Sequence, residues 1–271
     1  MKPISTKCKI CNQSSIYIFS KLILNKHKIN YFLCPSCDFL QTEKPYWLDQ
    51  AYDNAITSTD IGLVNRNIVY SNLVEYIINQ NFKNSRKFLD FAGGYGMFTR
   101  LMRDKGFNFY HHDDFCNNLF AQHFTLNDLP SNKRKFELIT AFELMEHLEN
   151  PYDTLNKIFA LTNNFLFSTE LIPNTDIDKW WYLGTEHGQH ISFYTPKSLQ
   201  IIATKFNKKV YSYNNYLHIF TNIKNPTFVE IDSPIKKTLK KLLSHFDNNQ
   251  KLPSLTQPDY TKIKKMISHE I

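Results

Sequence analysis

A chain of 271 residues with 42% hydrophobic and 21% charged side chains carries enough apolar material for one large domain with accessories, and its 15% aromatic content excludes a disordered chain. No apolar run approaches the roughly 18 residues that span a bilayer, and the opening Met-Lys-Pro-Ile-Ser-Thr-Lys-Cys lacks the apolar stretch of a secretion signal, so a cytoplasmic protein is expected. The net charge of +7 reads first as solvated lysines and only second as a surface for nucleic acid, because the positive charge is diffuse until the run Lys-Lys-Thr-Leu-Lys-Lys at 236–241.

Four of the five cysteines pair as Cys8-x2-Cys11 and Cys34-x2-Cys37. In a reducing compartment that spacing favours zinc over disulfides, since each knuckle turns tightly enough for both thiolates to reach one ion. Four thiolates close the tetrahedron and leave no place for water, so the expected zinc is structural. Ile16–Phe19 and Ile29–Leu33 between the knuckles read as ribbon strands. Cys116 stands alone and reads as a buried apolar filler rather than a nucleophile.

Glu43-Lys44-Pro45 marks a boundary, after which Tyr46 to roughly Thr57 and Val64 to Asn79 have helical spacing. Strand and helix patterns then alternate. Phe88–Phe91 is a strand, Met97–Lys105 a helix ended by Gly106, and Phe107–His112 a second strand. A weaker strand is expected near Gln122–Leu126 and a clear one at Phe136–Phe142. Asn150-Pro151 opens a helix through Leu161, Asn164–Ser168 is a further strand, and Pro196–Phe206 a helix. Lys209–Tyr213 and Tyr216–Asn222 make a closing strand pair. Such alternation with short connections predicts an α/β fold, a mostly parallel sheet with helices on both faces.

The strand Phe88–Phe91 runs through Asp90 into a Gly-rich turn, Ala92-Gly93-Gly94-Tyr95-Gly96, and Asp113 and Asp114 follow the next strand. Strand, Gly-rich turn and distal acid form half of a nucleotide-cofactor pocket. A nicotinamide-dinucleotide fingerprint needs a third small residue three positions beyond Gly96, where Thr99 stands. Asp90 ahead of the glycines would repel a pyrophosphate but suits a cationic amino group. S-adenosylmethionine (SAM) carries such a group, with Asp113 as acceptor for its ribose hydroxyls and Asp114 as neighbour.

These residues, together with Phe136-Glu-Leu-Ile-Thr-Ala-Phe-Glu-Leu-Met-Glu-His-Leu148 and Pro151, make the chain resemble a class I SAM-dependent methyltransferase over about residues 46–222. The stretch Glu186-His-Gly-Gln-His-Ile-Ser-Phe-Tyr194 is similar to a branch with a Gly-Gln-His motif, and the cysteine lobe is similar to that of deoxysugar C-methyltransferases. The resemblance implies a Rossmann-like sheet of seven strands. It also implies a zinc ribbon over residues 1–45, a SAM-binding domain over 46–225 with a helical cap at 46–85, and a Lys-rich extension over 226–271. By the same resemblance Asp90, Ala92, Gly93, Gly94 and Gly96 face the methionine part of the cofactor. Ala141, Phe142 and Glu143 line the pocket, and Asp128 reaches the adenine amino group. Ala92 replaces the first glycine of the usual turn; alanine tolerates most backbone geometry unless φ is positive, so binding is expected to survive.

An alcohol acceptor benefits from a general base of near-neutral pKa. His187 or His190 is expected to be that base, oriented by Glu186 or Gln189, unless the segment is a lid. His147 reads as a cap on its turn, and His111 and His112 as packing residues. Trp180, Trp181 and Tyr182 either wall the acceptor pocket or belong to the core, while Tyr52 and Arg66 sit in a segment that covers the cofactor. The expected activity is methyl transfer to a hydroxyl of a sugar, nucleotide-sugar or surface polysaccharide. An RNA acceptor and a non-catalytic binding protein are the competing readings.

Overall fold

The computed structural model describes residues 5–52, 60–82, 87–228 and 252–268. The second half of the helix expected to reach Thr57 and the basic run at 236–241 lie outside these residues. In chain order the N-terminal strands are β1 (Ser5–Lys7), β2 (Ser14–Ile23), β3 (His27–Leu33) and β4 (Leu40–Thr42), followed by a short α1 (Leu48–Ala51) and a long α2 (Leu63–Asn81). Then come β5 (Phe88–Phe91), α3 (Met97–Asp104), β6 (Phe109–His112), β7 (Leu138–Ala141), α4 (Pro151–Leu161) and β8 (Phe165–Ser168). The chain continues through β9 (Ser192–Phe193), α5 (Pro196–Lys205), β10 (Lys209–Tyr213), β11 (Leu217–Thr221) and α6 (Thr256–Ser268).

The larger sheet has the order β10-β11-β8-β7-β5-β6. Strands β8, β7, β5 and β6 are parallel, and β11 and β10 add on antiparallel. Every residue of β5, β7, β8 and β11 is buried, as strands covered on both faces require. One face packs on α2 and α3 through Val74, Ile77, Phe98 and Met102, and the other on α4 and α5 through Leu155, Ile158, Leu199 and Ile202. Both covering helices start where the sequence says they should. Pro151 follows the N-cap Asn150, and Pro196 follows Thr195, whose hydroxyl accepts the Ser198 N–H in a capping box.

Among the described residues six strands form this sheet where seven were expected. The weak element near Gln122–Leu126 contributes a single parallel bridge, His111 to Thr125, before a 3-10 turn at Leu126–Asp128. The Asp128 carboxylate accepts from both the N–H and the hydroxyl of Thr125, at 2.7 and 2.6 Å, and this local capping box ends the strand. Along the outer side of α3, helix α6 is held by a buried ion pair in which Arg103 donates twice to Asp259, at 2.7 and 2.8 Å.

The smaller sheet has the order β1-β2-β3-β4-β9, so a strand from residues 192–193 completes the ribbon. Cys8, Cys34, Cys37 and Phe39 lie in the same buried cluster as Leu155, Phe167 and Tyr194 of the larger unit. The lobe and the α/β unit therefore share one core. Among the described residues, no helix is long and apolar enough to cross a membrane.

Candidate functional site

The chain leaves β5, forms β6 on one side and returns to form β7 on the other, which makes the crevice between β5 and β7 a topological switch point. Three loops meet at its carboxyl end: 92–96 after β5, 113–116 after β6 and 142–148 after β7.

Asp90 lies beneath the first loop and is 2% exposed. Its oxygens accept from the hydroxyls of Thr99, at 3.2 Å, and Thr140, at 3.3 Å. Burial raises its pKa to about 7, against the lowering effect of those two hydroxyls. Gly93 passes directly over it: a Cβ there would lie 2.4 Å from Asp90 Oδ2 and 2.8 Å from the His111 ring, so only glycine lets the turn close. His111 Nε2 is 2.9 Å from the Gly94 carbonyl, which can only accept, so His111 carries its proton there. This histidine packs as expected. Asp90 thus supports the turn from below, and a cation above the turn would feel its charge across the backbone of Gly93.

The sequence reading allowed Ala92 on condition that its φ was negative. It is +56°, in the left-handed region. A side chain there costs about 1 kcal/mol relative to glycine, so Ala92→Gly is expected to raise stability by about that amount in urea titration. An unchanged midpoint would mean that neighbouring contacts of the methyl group offset the strain.

Asp113 was expected to keep its carboxylate for two ribose hydroxyls. In the structure Oδ2 accepts the Gly94 N–H at 2.9 Å, and Oδ1 accepts the N–H groups of Phe115 and Cys116 at 2.8 Å each. Three of its roughly four lone-pair directions are thereby used to bind one loop to the other. Asp114 points outward and lies 3.6 Å from His112. Asp128, assigned to adenine, is instead committed to its Thr125 cap.

Beyond β7, Ala141 is buried in the core and Phe142 stacks on Tyr70 of α2 with ring centroids 4.2 Å apart. Neither of these two side chains borders the cavity at the carboxyl ends of β7 and β8. Glu143 does. That cavity, about 240 Å³, is lined by Arg66, Tyr70, Glu143, Thr169, Glu170, Trp181, Tyr182 and Tyr216. Glu143 has a positive φ of 53° and accepts the Ser168 hydroxyl at 2.7 Å, while its own N–H donates to the same oxygen. Arg66 is held in a two-pronged pair with Asp60, at 2.8 and 3.0 Å. Of the three aromatic residues before the histidines, Trp181 and Tyr182 wall the cavity, and Trp180 packs against Phe193 in the ribbon core.

Behind the cavity wall the segment 185–194 is clamped from two sides. The Ile191 N–H donates to the Glu146 carbonyl at 2.9 Å, Ser192 Oγ to Leu148 O at 2.7 Å and the Tyr194 hydroxyl to Met145 O at 2.9 Å. From the ribbon side, Trp47 Nε1 donates to Gly188 O and Gln189 Nε2 to Ala51 O, both at 2.7 Å, and the Leu24 N–H to Thr185 O at 2.8 Å. This double clamp brings His190 edge-on to His147, with centroids 4.9 Å apart, and to His187, at 4.7 Å.

The three imidazoles differ in what they can do. His190 Nδ1 is 2.6 Å from the Tyr182 carbonyl and so carries the proton, leaving the Nε2 lone pair free to accept. Burial holds its pKa well below the usual histidine range. His187 uses its Nδ1 lone pair to accept the Gln189 N–H at 3.2 Å, which places its proton on Nε2. His147 does not cap its turn: its Nδ1 is 2.8 Å from the Tyr52 hydroxyl, and burial lowers its pKa to about 4. Gln189 is committed to Ala51 and Glu186 forms no bond to either candidate base among the described contacts.

Glu146, a residue of the motif after β7 to which the sequence assigns no role, is fully buried. Burial, and then the charge of Glu143, raise its pKa to about 8. The hydroxyls of Tyr182 and Thr169 lie beside it and favour its ionised form, although neither completes a well-formed hydrogen bond to either of its oxygens.

A family model described as a methyltransferase domain matches residues 66–213, more than half of the chain. The chain belongs to that family. Solved structures similar to this methyltransferase include the plantazolicin methyltransferase BpumL in complex with a monoazolic desmethylPZN analog and SAH, which is 10% identical, covers 65% of this chain and 93% of its own, and has a TM-score of 0.45. The mitomycin 7-O-methyltransferase MmcR is 12% identical over 64% of this chain and 59% of its own, at 0.40. The magnesium protoporphyrin IX methyltransferase of Synechocystis PCC 6803 with bound SAM is 10% identical over 64% and 87%, at 0.39. Among curated proteins none matches the chain significantly.

Proposed function

We propose that this methyltransferase uses SAM to methylate a hydroxyl of a small sugar-type acceptor held in the cavity of Glu143, Trp181 and Tyr182. The observation that carries this reading is the wall composition: two carboxylates, Glu143 and Glu170, share the wall with the aromatic rings of Tyr70, Trp181, Tyr182 and Tyr216. Carboxylates accept hydroxyl protons, and aromatic faces cover the C–H faces of a pyranose, whereas an RNA strand would call for cations along a groove. Arg66, already neutralised by Asp60, offers little to a phosphate backbone.

The cofactor belongs over the loop 92–96, where a Cβ at Gly94 would meet no described atom within 4 Å. Transfer is an in-line displacement in which the acceptor oxygen forms a bond to the methyl carbon as the carbon–sulfur bond breaks. Positioning and exclusion of water do most of the work. His190, rather than His187, has a free Nε2 lone pair, and the carboxylates of Glu143 and Glu170 in the cavity wall are the acceptors for the proton that the hydroxyl loses. Incubation with labelled SAM and a panel of nucleotide-sugars tests the reading: incorporation into one of them supports it, and incorporation only into tRNA or rRNA fragments overturns it.

Asp90 gives the cofactor half a pH signature. A carboxyl raised to about 7 in the fold holds its proton where the unfolded chain, near 3.9, has lost it, so its contribution to stability falls between those two values as pH rises. A cationic ligand above the turn favours the ionised form. SAM affinity is therefore expected to rise between pH 6 and 8, and calorimetry on Asp90→Asn should give a flatter profile; identical profiles would remove Asp90 from cofactor binding.

The four cysteines fit a structural zinc. Cys8 and Cys37 Sγ are 3.4 Å apart, as are those of Cys11 and Cys34, too far for disulfides and close to the edge of a zinc–thiolate tetrahedron. The Ile10 N–H also points at Cys8 Sγ, at 3.4 Å, as a knuckle requires.

A further inference from the structure

We propose that Glu146, His147 and His190 form a second metal site, for a divalent cation of the zinc type, whose open position takes the acceptor's oxygen. The inference rests on the methyl-transfer reading for its ligand and on three independent features for the cation. One carboxylate oxygen and one ring nitrogen from each histidine already lie within 4.8 Å of one another. Bonds of about 2.0–2.1 Å to a tetrahedral ion need such atoms roughly 3.3 Å apart, so a modest contraction completes the set.

The second feature is the orphaned carboxylate. Glu146 has no exposed surface, and neither of its oxygens has a hydrogen-bond partner. A buried carboxylate that lacks a well-formed hydrogen bond is expensive even with the Tyr182 and Thr169 hydroxyls beside it, and a cation is the partner that would satisfy it most strongly. Glu143 nearby adds negative charge, and no described lysine or arginine is paired with Glu146.

The third feature is the support behind the ligands. A metal-bound histidine generally donates its other ring N–H to a fixed acceptor, which sets the tautomer and aims the free nitrogen. His190 donates Nδ1–H to the Tyr182 carbonyl; His147 Nδ1 meets the Tyr52 hydroxyl, and a bound cation would displace the contact its ring makes with the Gln189 backbone. Two imidazoles and one carboxylate make a nitrogen-rich set suited to zinc rather than to calcium or magnesium. Three protein ligands leave a position open, unlike the closed four-cysteine site. The unpartnered hydroxyls of Thr169 and Tyr182, both in the cavity wall, stand beside Glu146 on the side where an acceptor oxygen would arrive.

Metal content separates the two sites. Wild-type protein saturated with zinc and dialysed should hold roughly two ions per chain by mass spectrometry, and Glu146→Gln or His190→Asn roughly one. Cobalt replacement in the wild type needs no variant: the thiolate site gives strong charge-transfer bands, and the second site should add weak visible bands of nitrogen and oxygen coordination. One zinc per chain in the wild type, or a second ion that persists in both variants with their circular dichroism unchanged, overturns the proposal. SAM calorimetry on the same samples keeps the failures apart. A single zinc with intact SAM binding removes only the metal site, whereas two zinc ions without SAM binding remove the methyl-transfer reading and leave the site standing.

Discussion

Replacing Cys37 with serine is expected to abolish methyl transfer, by a hundredfold or more, while leaving SAM affinity within about threefold of the wild type. The reason is a chain of contacts. Cys37 is fully buried, and its carbonyl accepts the Thr195 hydroxyl at 3.2 Å, at the cap of α5. Its neighbour β4 pairs with β9, Leu40 opposite Phe193 and Gln41 opposite Ser192. Trp47, just beyond the ribbon, holds Gly188. Structural zinc sites contribute on the order of 10 kcal/mol to folding, so losing a thiolate ligand should melt the lobe rather than loosen it. With the lobe goes one of the two clamps on residues 185–194, and His190 no longer has to lie beside His147. The loop 92–96 and Asp113 are braced by β5, β6 and α3 instead, which is why cofactor affinity should survive. A lower melting temperature is expected alongside, by roughly 2–4 °C for each kcal/mol of stability lost. Full turnover in a variant shown by mass spectrometry to lack ribbon zinc would break the proposed coupling between lobe and site.

Much of this arrangement was legible as sequence, and the parts that were not have physical reasons. Strands β5, β7, β8 and β11 are short apolar runs between turn signals, and the Asn150-Pro151 and Thr195-Pro196 caps fix where α4 and α5 begin. The cysteine spacing pointed to the cluster directly. The seventh strand failed because Thr125 and Asp128 offer the backbone a local cap in place of a ladder. The union of β4 with β9 could not be seen, since pairing across about 150 residues leaves no local pattern. Glu146 was passed over for a related reason. In sequence it is the second acid of a turn that also holds Glu143; the clamp on residues 185–194, with the Ile191 N–H on the Glu146 carbonyl, is what brings His190 to it. Ala92 shows the reverse case: the residue was noticed, but its sign of φ is a property of the closed turn and not of the alanine.

The second large effect concerns Asp113, where two substitutions distinguish two roles. Asp113→Ala removes a carboxylate that accepts three backbone N–H groups, from Gly94, Phe115 and Cys116. Hydrogen bonds to a charged group are worth about 1.5–3 kcal/mol each, so SAM affinity should fall roughly tenfold to a hundredfold as the two loops separate. Asp113→Asn is the sharper test. If the side chain served mainly as a partner for ribose hydroxyls, an amide could both accept from them and donate to them, and most of the affinity would remain. If it binds loop to loop, the amide oxygen can keep Phe115 and Cys116, but its NH2 then faces the Gly94 N–H, donor against donor. The structure favours the second role, and Asp113→Asn is expected to bind SAM nearly as weakly as Asp113→Ala by calorimetry. Affinity within threefold of the wild type for the asparagine variant would return the residue to the ribose and leave the Gly94 contact without functional weight.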